Sequence, residues 1–139
     1  MKKYNTEQEQ LAAVRNHWTV IQYIENPSEN VQLEAIKKNE LAIKYIENPS
    51  ERVQLAAVEN NGYVIKYIKN PSEKAQLEAV KNNGLAIEYI KNSSENVQLE
   101  AVKNDWRAIQ FIENPSQKII IFTKMNKLEQ MIMFNIMIK

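Results

Sequence analysis

A segment of 22 residues repeats in tandem along most of this chain. The central copy runs from Asn48 to Lys69. Further copies begin at Tyr4, Asn26, Asn70, Asn92 and Asn114. The first of these is degenerate, and the last loses the pattern after a few residues. A fixed period of this length is the signature of a repeat architecture, in which each unit buries its apolar face against its neighbours. We therefore expect a short rod.

The sequence Asn-Pro-Ser-Glu at residues 48–51 predicts the start of a helix. Asn can cap the first free N–H groups, Pro fits the first helical position, and Glu can reach back to the cap. In the alternative register Ser50 is the cap, which moves the boundary by two residues. The first copy lacks the proline, but Thr6 and Glu9 have the spacing of a capping box. Because proline recurs here in most copies, one continuous helix is excluded.

The helix that follows is amphipathic and about three turns long, because its apolar residues share one broad face at about 100° per residue. In the central copy this face comprises Val53, Gln54, Leu55, Ala57 and Val58. Asn60-Asn61-Gly62 would end the helix by supplying a residue that takes a positive φ. A second, shorter helix follows, with Val64, Ile65 and Ile68 on its apolar side.

These patterns predict an all-α fold, an α-solenoid of about five helix-turn-helix repeats with a divergent C-terminal cap. The single domain, residues 1–139, divides into an N-terminal capping repeat (4–25), four regular repeats (26–113) and a divergent C-terminal segment (114–139). Leucine-rich repeats share the period, but their consensus would require leucine at Lys38 and asparagine at Leu41. We therefore reject that fold.

The C-terminal segment departs from the repeat and is apolar almost all round between Met131 and Ile138. This stretch is too short to cross a bilayer, which takes about 20 apolar residues. Three interpretations stay open. The segment is a cap helix that covers the last repeat, a frameshifted end that happens to remain apolar, or a surface for self-association or for a partner.

A glutamine lies in the middle of the apolar face of each copy. These residues are Gln10, Gln32, Gln54, Gln76 and Gln98. A buried amide without a partner costs about 1–3 kcal/mol, so these side chains need hydrogen bonds. We expect each to bond the next repeat or a turn between helices. The functional alternative is an inward groove of amides that grips a peptide backbone.

Aromatic residues recur on the second helix and form a stripe when the repeats stack. At α-helical spacing, each shares a side with the residue four positions earlier, such as Tyr63 or Arg107. The rings either pack between neighbouring second helices, with their hydroxyls at the rim, or form an exposed surface that anchors a protein partner. The candidate partner-binding residues are Tyr23, Tyr45, Tyr63, Tyr67, Tyr89, Trp106, Arg107 and Phe111.

Tryptophan stands at the turn only in the first and last complete copies, as Trp18 and Trp106. Departures from a repeat consensus are where function is usually encoded, although a tryptophan that covers an end repeat is the simpler interpretation. His17 is the only histidine, and the chain has no cysteine. We therefore expect no metal site or catalytic pair at this histidine.

The composition argues against several classes of protein. Lys and Arg number 18 and Asp and Glu 17, so the net charge of +1 gives no bulk attraction to nucleic acid or to an anionic membrane. No Gly-rich phosphate loop, zinc-protease motif or nucleophile elbow occurs. We predict a non-enzymatic protein that needs no cofactor. The first residues lack the apolar stretch of a signal peptide, which predicts a cytoplasmic location.

The pattern V-Q-L-x-A-V-x-x-N-G-x-x-I-x-Y-I within residues 26–113 resembles the short α-helical repeats of bacterial and phage proteins of unassigned function. In architecture it resembles a compact form of HEAT and armadillo arrays, with a unit about half the length of a HEAT repeat. The resemblance implies a protein-binding scaffold and carries no catalytic motif.

We hold three functional hypotheses. The first is an interaction scaffold whose partner is another protein. The second is a phage or mobile-element inhibitor, of the anti-defence or anti-CRISPR type, that blocks a host nucleic-acid-processing machine. The third is nucleic-acid binding through an edge that bears Lys66, Lys69, Lys74 and Lys81. Self-association through the C-terminal segment is compatible with each of them, and we expect no membrane partner.

Overall fold

Helices form all the regular secondary structure of residues 3–139, the part of the chain that the computed structural model describes. The α-helices are α1 (Glu7–Asn16), α2 (Glu29–Lys38), α3 (Glu51–Asn60), α4 (Glu73–Asn82), α5 (Glu95–Asn104) and α6 (Gln117–Met137). Between them lie the 3₁₀ helices η1 (Trp18–Tyr23), η2 (Glu40–Tyr45), η3 (Gly62–Tyr67), η4 (Gly84–Tyr89) and η5 (Trp106–Phe111). The predicted all-α repeat fold is confirmed. Residues 1 and 2 of the predicted domain lie outside the described part.

The second helix of each unit is a 3₁₀ helix, whereas the spacing of its apolar residues predicts an α-helix. In η3, the N–H of Val64 bonds the carbonyl of Asn61, three residues earlier, at 3.2 Å. The side chain of Asn61 also accepts the N–H of Tyr63 at 3.1 Å. The segment has only six residues, and 3₁₀ helices occur in short segments of this kind. The side chain of Asn61 caps its first turn.

Serine is the N-cap of every α-helix after α1, so the structure selects the second of the two predicted registers. These caps are Ser28, Ser50, Ser72, Ser94 and Ser116. The asparagine two residues before the serine cap serves the turn instead, and Asn26, Asn92 and Asn114 take a positive φ there. Asparagine tolerates this left-handed region better than most residues. The capping box of Thr6 and Glu9 is present at α1, as predicted.

The prediction that glycine ends the first helix with a positive φ is wrong, because neither glycine has one. Each α-helix from α1 to α5 passes directly into extended backbone, as at Asn61 with φ −152°. Glycine is required instead because a side chain at this position would not fit. A Cβ atom on Gly62 would lie 2.3 Å from the carbonyl oxygen of Ala79, and one on Gly84 would lie 2.4 Å from that of Ala101. Glycine therefore lets the next α-helix approach the 3₁₀ helix closely.

An asparagine of the following repeat fixes each of these close approaches. The side-chain oxygen of Asn82 accepts the N–H of Gly62 at 2.9 Å, and its Nδ2 donates to the carbonyl of Glu59 at 3.1 Å. Asn104 makes the equivalent pair of bonds to Gly84 and Lys81, at 2.7 and 2.8 Å. We call each glycine with its asparagine a clamp. Each clamp joins two successive units through backbone groups.

The elements stack in two layers, because each α-helix packs on the next α-helix and each 3₁₀ helix on the next 3₁₀ helix. Every α-helix after α1 also contacts the 3₁₀ helix before it. In the central unit, the side chains of Val53, Ala57, Val58, Val64 and Ile65 are fully buried between the layers. The core is therefore a continuous row of small and branched side chains along the stack.

The repeated glutamines hold the turns, as predicted. Gln54 Nε2 donates to the carbonyl of Pro49 at 3.0 Å, and its Oε1 accepts the N–H of Ser72 in the next unit at 2.8 Å. Gln32 and Gln76 donate in the same way to the carbonyl of the proline five residues before them. The amide groups of these glutamines therefore donate to backbone carbonyls of the turns. These hydrogen bonds explain why a polar side chain is tolerated on the apolar face of the helix.

A ladder of hydrogen bonds joins the N-termini of successive α-helices. The hydroxyl of each of four serine caps donates to the first-turn glutamate of the preceding helix. The pairs are Ser28 with Glu7, Ser50 with Glu29, Ser94 with Glu73 and Ser116 with Glu95. These carboxylates also lie where the helix dipole favours negative charge. The ladder therefore gives the hydroxyl of each of these caps a hydrogen-bond acceptor. It also links neighbouring units at the N-terminal ends of their α-helices.

Helix α6 begins as the α-helix of a sixth unit but is 21 residues long in all. Its first turns cap the last repeat, since Ile119 and Thr123 are buried and Asn126 Nδ2 donates to the carbonyl of Val102 at 2.6 Å. Lys127 stands where η2 to η5 have the asparagine or aspartate that caps a 3₁₀ helix. No proline or glycine follows in the sequence to end the helix, and α6 continues. The frameshift interpretation stays untested.

We expect Gln54→Ala to destabilise the protein by about 1–3 kcal/mol, because it leaves the carbonyl of Pro49 and the N–H of Ser72 without their partner. The measurement is thermal unfolding followed by circular dichroism. Glu59→Ala is the control, because this residue lies on the same helix with an exposed side chain. Equal melting temperatures for the two variants would show that the amide bonds contribute nothing.

We expect Gly62→Ala to destabilise the protein by about 1–3 kcal/mol, because the new methyl group overlaps the carbonyl of Ala79. Glu40→Ala tests the same position of the preceding unit, where the chain already carries a side chain, and should change stability by less than about 0.5 kcal/mol. Urea unfolding measures both. A stabilised Gly62→Ala protein would mean that helix propensity outweighs the close approach.

Candidate functional site

The residues that end the 3₁₀ helices form a row of partly exposed rings, which we call the aromatic stripe. It consists of Tyr23, Tyr45, Tyr67, Tyr89 and Phe111. Four of the five are exposed, from 57% at Tyr23 to 37% at Phe111, and Tyr45 is half-buried. Of the two predicted arrangements, the structure therefore favours a ring surface over rings packed away between helices.

The backbone at the end of each 3₁₀ helix explains this exposure. Ile68 follows Tyr67 in an extended conformation, with φ −95° and ψ 114°, and its side chain is buried in the core. Successive side chains of an extended segment point to opposite sides. The ring of Tyr67 is therefore directed away from the core. The same extended residue follows the ring in every unit, at Ile24, Ile46, Ile90 and Ile112.

The structure brings Tyr63 to the stripe through the next unit. Its ring meets that of Tyr89 edge to face, with the ring centres 6.1 Å apart. The α-helical spacing instead paired Tyr63 with Tyr67, but residues four apart in a 3₁₀ helix are not in line. Trp18 makes a similar contact with Tyr45, at 6.4 Å. Aromatic contacts between units therefore pack against two rings of the stripe, Tyr45 and Tyr89.

Two lysines of the stripe were not among the predicted site residues. Lys44 Nζ lies 4.7 Å from the ring centre of Tyr45. Lys66 Nζ lies 5.0 Å from the ring centre of Tyr67 and 5.7 Å from that of Tyr89, and so contacts rings of two units. The sequence contains a signal for these contacts, because both lysines immediately precede a tyrosine of the stripe. Cation–π contacts at exposed sites contribute about 0.5–1 kcal/mol each.

The last unit differs from the others around the predicted residues Trp106 and Arg107. Trp106 is half-buried beneath the cap helix, with Lys127 Nζ 4.7 Å from its ring centre. Arg107 Nη2 bonds Asp105 Oδ2 at 2.6 Å. This side-chain bond lowers the pKa of the Asp105 carboxyl, against the opposing effect of burial. It also raises the pKa of Arg107. Trp106 therefore serves the contact with α6, while Arg107 is tied to Asp105.

A shallow groove opens beside the stripe between two successive turns. Tyr45 borders it together with Gln32, and the carboxylates Glu25 and Glu47 lie along it. A similar groove follows one unit later, where Lys69 replaces one of the acidic residues. These grooves are open depressions between repeats. They offer places for side chains of a molecule that lies along the stripe.

Within residues 3–139, no group of three or more histidine or acidic side chains is arranged to hold a metal ion. In the same part of the chain, no helix has the length and apolar character needed to cross a bilayer. Comparison with known proteins finds no matching family model, no matching curated protein and no matching solved structure.

We expect Arg107→Ala to raise the pKa of Asp105, because the mutation removes the hydrogen bond that holds it below its ordinary value. A carboxyl with a lowered folded pKa stabilises the fold above its unfolded pKa, and this contribution is lost as the pH falls through the folded pKa. The variant should therefore lose less stability on acidification below about pH 4. NMR titration of the carboxyl carbon gives the pKa directly.

Arg52→Ala is the control, since Arg52 pairs with Glu29 on the opposite edge of an earlier unit. It should leave the Asp105 titration unchanged. If Arg107→Ala also leaves it unchanged, the bond is not populated in solution.

Proposed function

We propose that this protein is a non-enzymatic scaffold for protein–protein interaction and that the aromatic stripe is its binding surface. The exposure of the stripe carries the proposal. Five aromatic residues recur at one position of the unit, and four of them remain exposed although apolar side chains immediately beside them are buried. Folding alone does not require aromatic residues at exposed positions. Tyrosine, tryptophan and phenylalanine are enriched at protein interfaces because they bury a large area there.

The geometry of the stripe suits a partner segment that lies along the stack. Each unit presents one ring, so a partner gains a similar contact once per repeat, and grooves between turns open at two successive junctions in the middle of the stack. Lys44 and Lys66 add positive charge next to the rings of η2 and η3, whereas Glu88 occupies the equivalent position in η4. The partner we propose therefore presents apolar anchors with carboxylates facing η2 and η3.

Single-stranded nucleic acid is the second candidate, because bases stack on exposed aromatic rings and lysines attract the phosphates. Lys66 supports this candidate through its place between two rings of the stripe. The wider set of lysines predicted from the sequence supports it less. Lys74 is paired with Glu51 at 2.8 Å at the N-terminus of α4, and Lys81 lies at the other end of that helix.

The proposal that the protein inhibits a host nucleic-acid-processing machine is a special case of protein binding. It requires that the partner captured by the stripe is a component of such a machine. A bacterial or phage origin belongs to the same proposal, as does a cytoplasmic location.

The test compares two triple variants in affinity capture from the native cells. One carries Tyr45→Ser, Tyr67→Ser and Tyr89→Ser. The control carries Lys37→Ser, Glu59→Ser and Lys81→Ser, which change the same position of three successive α-helices where the side chains are exposed. Circular dichroism establishes that both variants fold.

We expect the tyrosine variant to lose the captured protein and the control to retain it. Because interface aromatics often contribute 2 kcal/mol or more, the affinity for a purified partner should fall by roughly tenfold or more. Retention by both variants would exclude the stripe. A single-stranded oligonucleotide gives the other arm. Binding that the tyrosine variant loses and that falls steeply between low and moderate salt would favour nucleic acid instead.

A further inference from the structure

Helix α6 and its C-cap carry most of the exposed large apolar side chains in residues 3–139. Ten large apolar side chains of α6 and its C-cap are about half exposed or more. They are Ile121, Met125, Leu128, Met131, Ile132, Met133, Phe134, Ile136, Met137 and Ile138. Concentrations of exposed apolar side chains of this kind mark interaction surfaces.

Four of these side chains form a straight line, which we call the apolar seam. It consists of Ile121, Met125, Leu128 and Ile132, separated by four, three and four residues. This alternation keeps side chains on one narrow face of a helix and is the spacing of a coiled coil. Asn135 takes the next position of the line. A polar residue there ends the seam at its carboxyl end.

The apolar seam lies on the side of α6 that faces away from the repeats. Ile119 and Thr123 are buried against the last unit. At about 100° per residue, Leu128 lies half a turn away from Ile119. The repeats therefore leave the seam open along its whole length, and a second helix can reach it without displacing α6 from its place on α5 and η5.

The charged residues beside the seam indicate which helix fits it. Lys124 lies on one flank and Glu129 on the other, five residues later. In a parallel coiled coil of two identical helices, the two flanks of the seam face each other across the interface. A residue on one flank of the first copy then lies next to the residue five positions later on the other flank of the second copy. Lys124 of one copy then meets Glu129 of the second, twice in the symmetric pair. An antiparallel pair brings like flanks together and makes neither bond.

We propose that two copies of this chain associate through α6 as a parallel two-stranded coiled coil along the apolar seam. Four apolar side chains from each copy fill the interface, and two Lys124–Glu129 pairs fix its direction. The repeats of the two copies then lie on opposite sides of the helix pair. Both aromatic stripes belong to one particle, and this proposal does not depend on what the stripe binds.

The experiment measures the mass of the full chain by sedimentation over a range of concentration. We expect the intact protein to reach twice the chain mass. Leu128→Glu should leave a monomer, because it places two carboxylates against each other in the seam. Met133→Glu is the matched control, since Met133 has the same exposed fraction as Leu128, 58%, but lies off the seam. It should remain a dimer.

Charge exchange tests the direction of the pair. Lys124→Glu should weaken the dimer by roughly tenfold, because two attractions become repulsions. Adding Glu129→Lys to this variant should restore the affinity of the intact chain. Thermal unfolding confirms that the repeats are unchanged, since all four positions lie outside the core.

Several outcomes would overturn the proposal. An intact chain that stays monomeric at every concentration excludes the pair. Equal loss of the dimer in Leu128→Glu and Met133→Glu indicates unspecific clustering of apolar surface. A charge exchange that fails to restore affinity excludes the parallel direction. Binding of a monomeric chain to vesicles of phosphatidylcholine and phosphatidylserine would assign the surface to lipid.

Discussion

A unit of 22 residues is too small to enclose a core, so every unit of this protein depends on its neighbours. The dependence is visible in polar contacts as much as in apolar ones. Gln54 bonds the turn on either side of its own unit, and serine caps bond the glutamate of the preceding helix. Buried valine and isoleucine side chains supply the driving force for stacking. The hydrogen bonds then determine how far one unit is shifted and turned relative to the next.

Much of the fold follows from the sequence by elementary principles. The period, the apolar face of α3 and the burial of Val64 and Ile65 were predicted and are confirmed. The 3₁₀ character of the second helix was not, because an apolar pattern six residues long fits either helix type. The role of Gly62 was also missed. Its need for space depends on the distance to Ala79, which is a contact between units and has no local signal.

The candidate surface was predicted in outline. Recurrence at one position of the unit identified the stripe from Tyr23 to Phe111, since tandem units place equivalent residues in line. The sequence did not decide between buried and exposed rings, because that depends on the extended backbone at residues such as Ile68. It indicated Lys66 only as part of a lysine edge and not as a partner of the stripe, although its long side chain reaches the ring of the next unit. Contacts of this kind depend on the distance between units.

The clamps are distributed unevenly, and this makes the rod mechanically asymmetric. The glycine–asparagine bonds join η3 to α4 and η4 to α5. The units at either end have Trp18, Glu40 and Trp106 where a clamp needs glycine, but at the carboxyl end Asn126 of α6 still bonds the carbonyl of Val102. Local opening in a stack proceeds from its least secured end. We therefore expect the amino-terminal end of the stack to open before the part that the clamps join, which then forms its stiffer base.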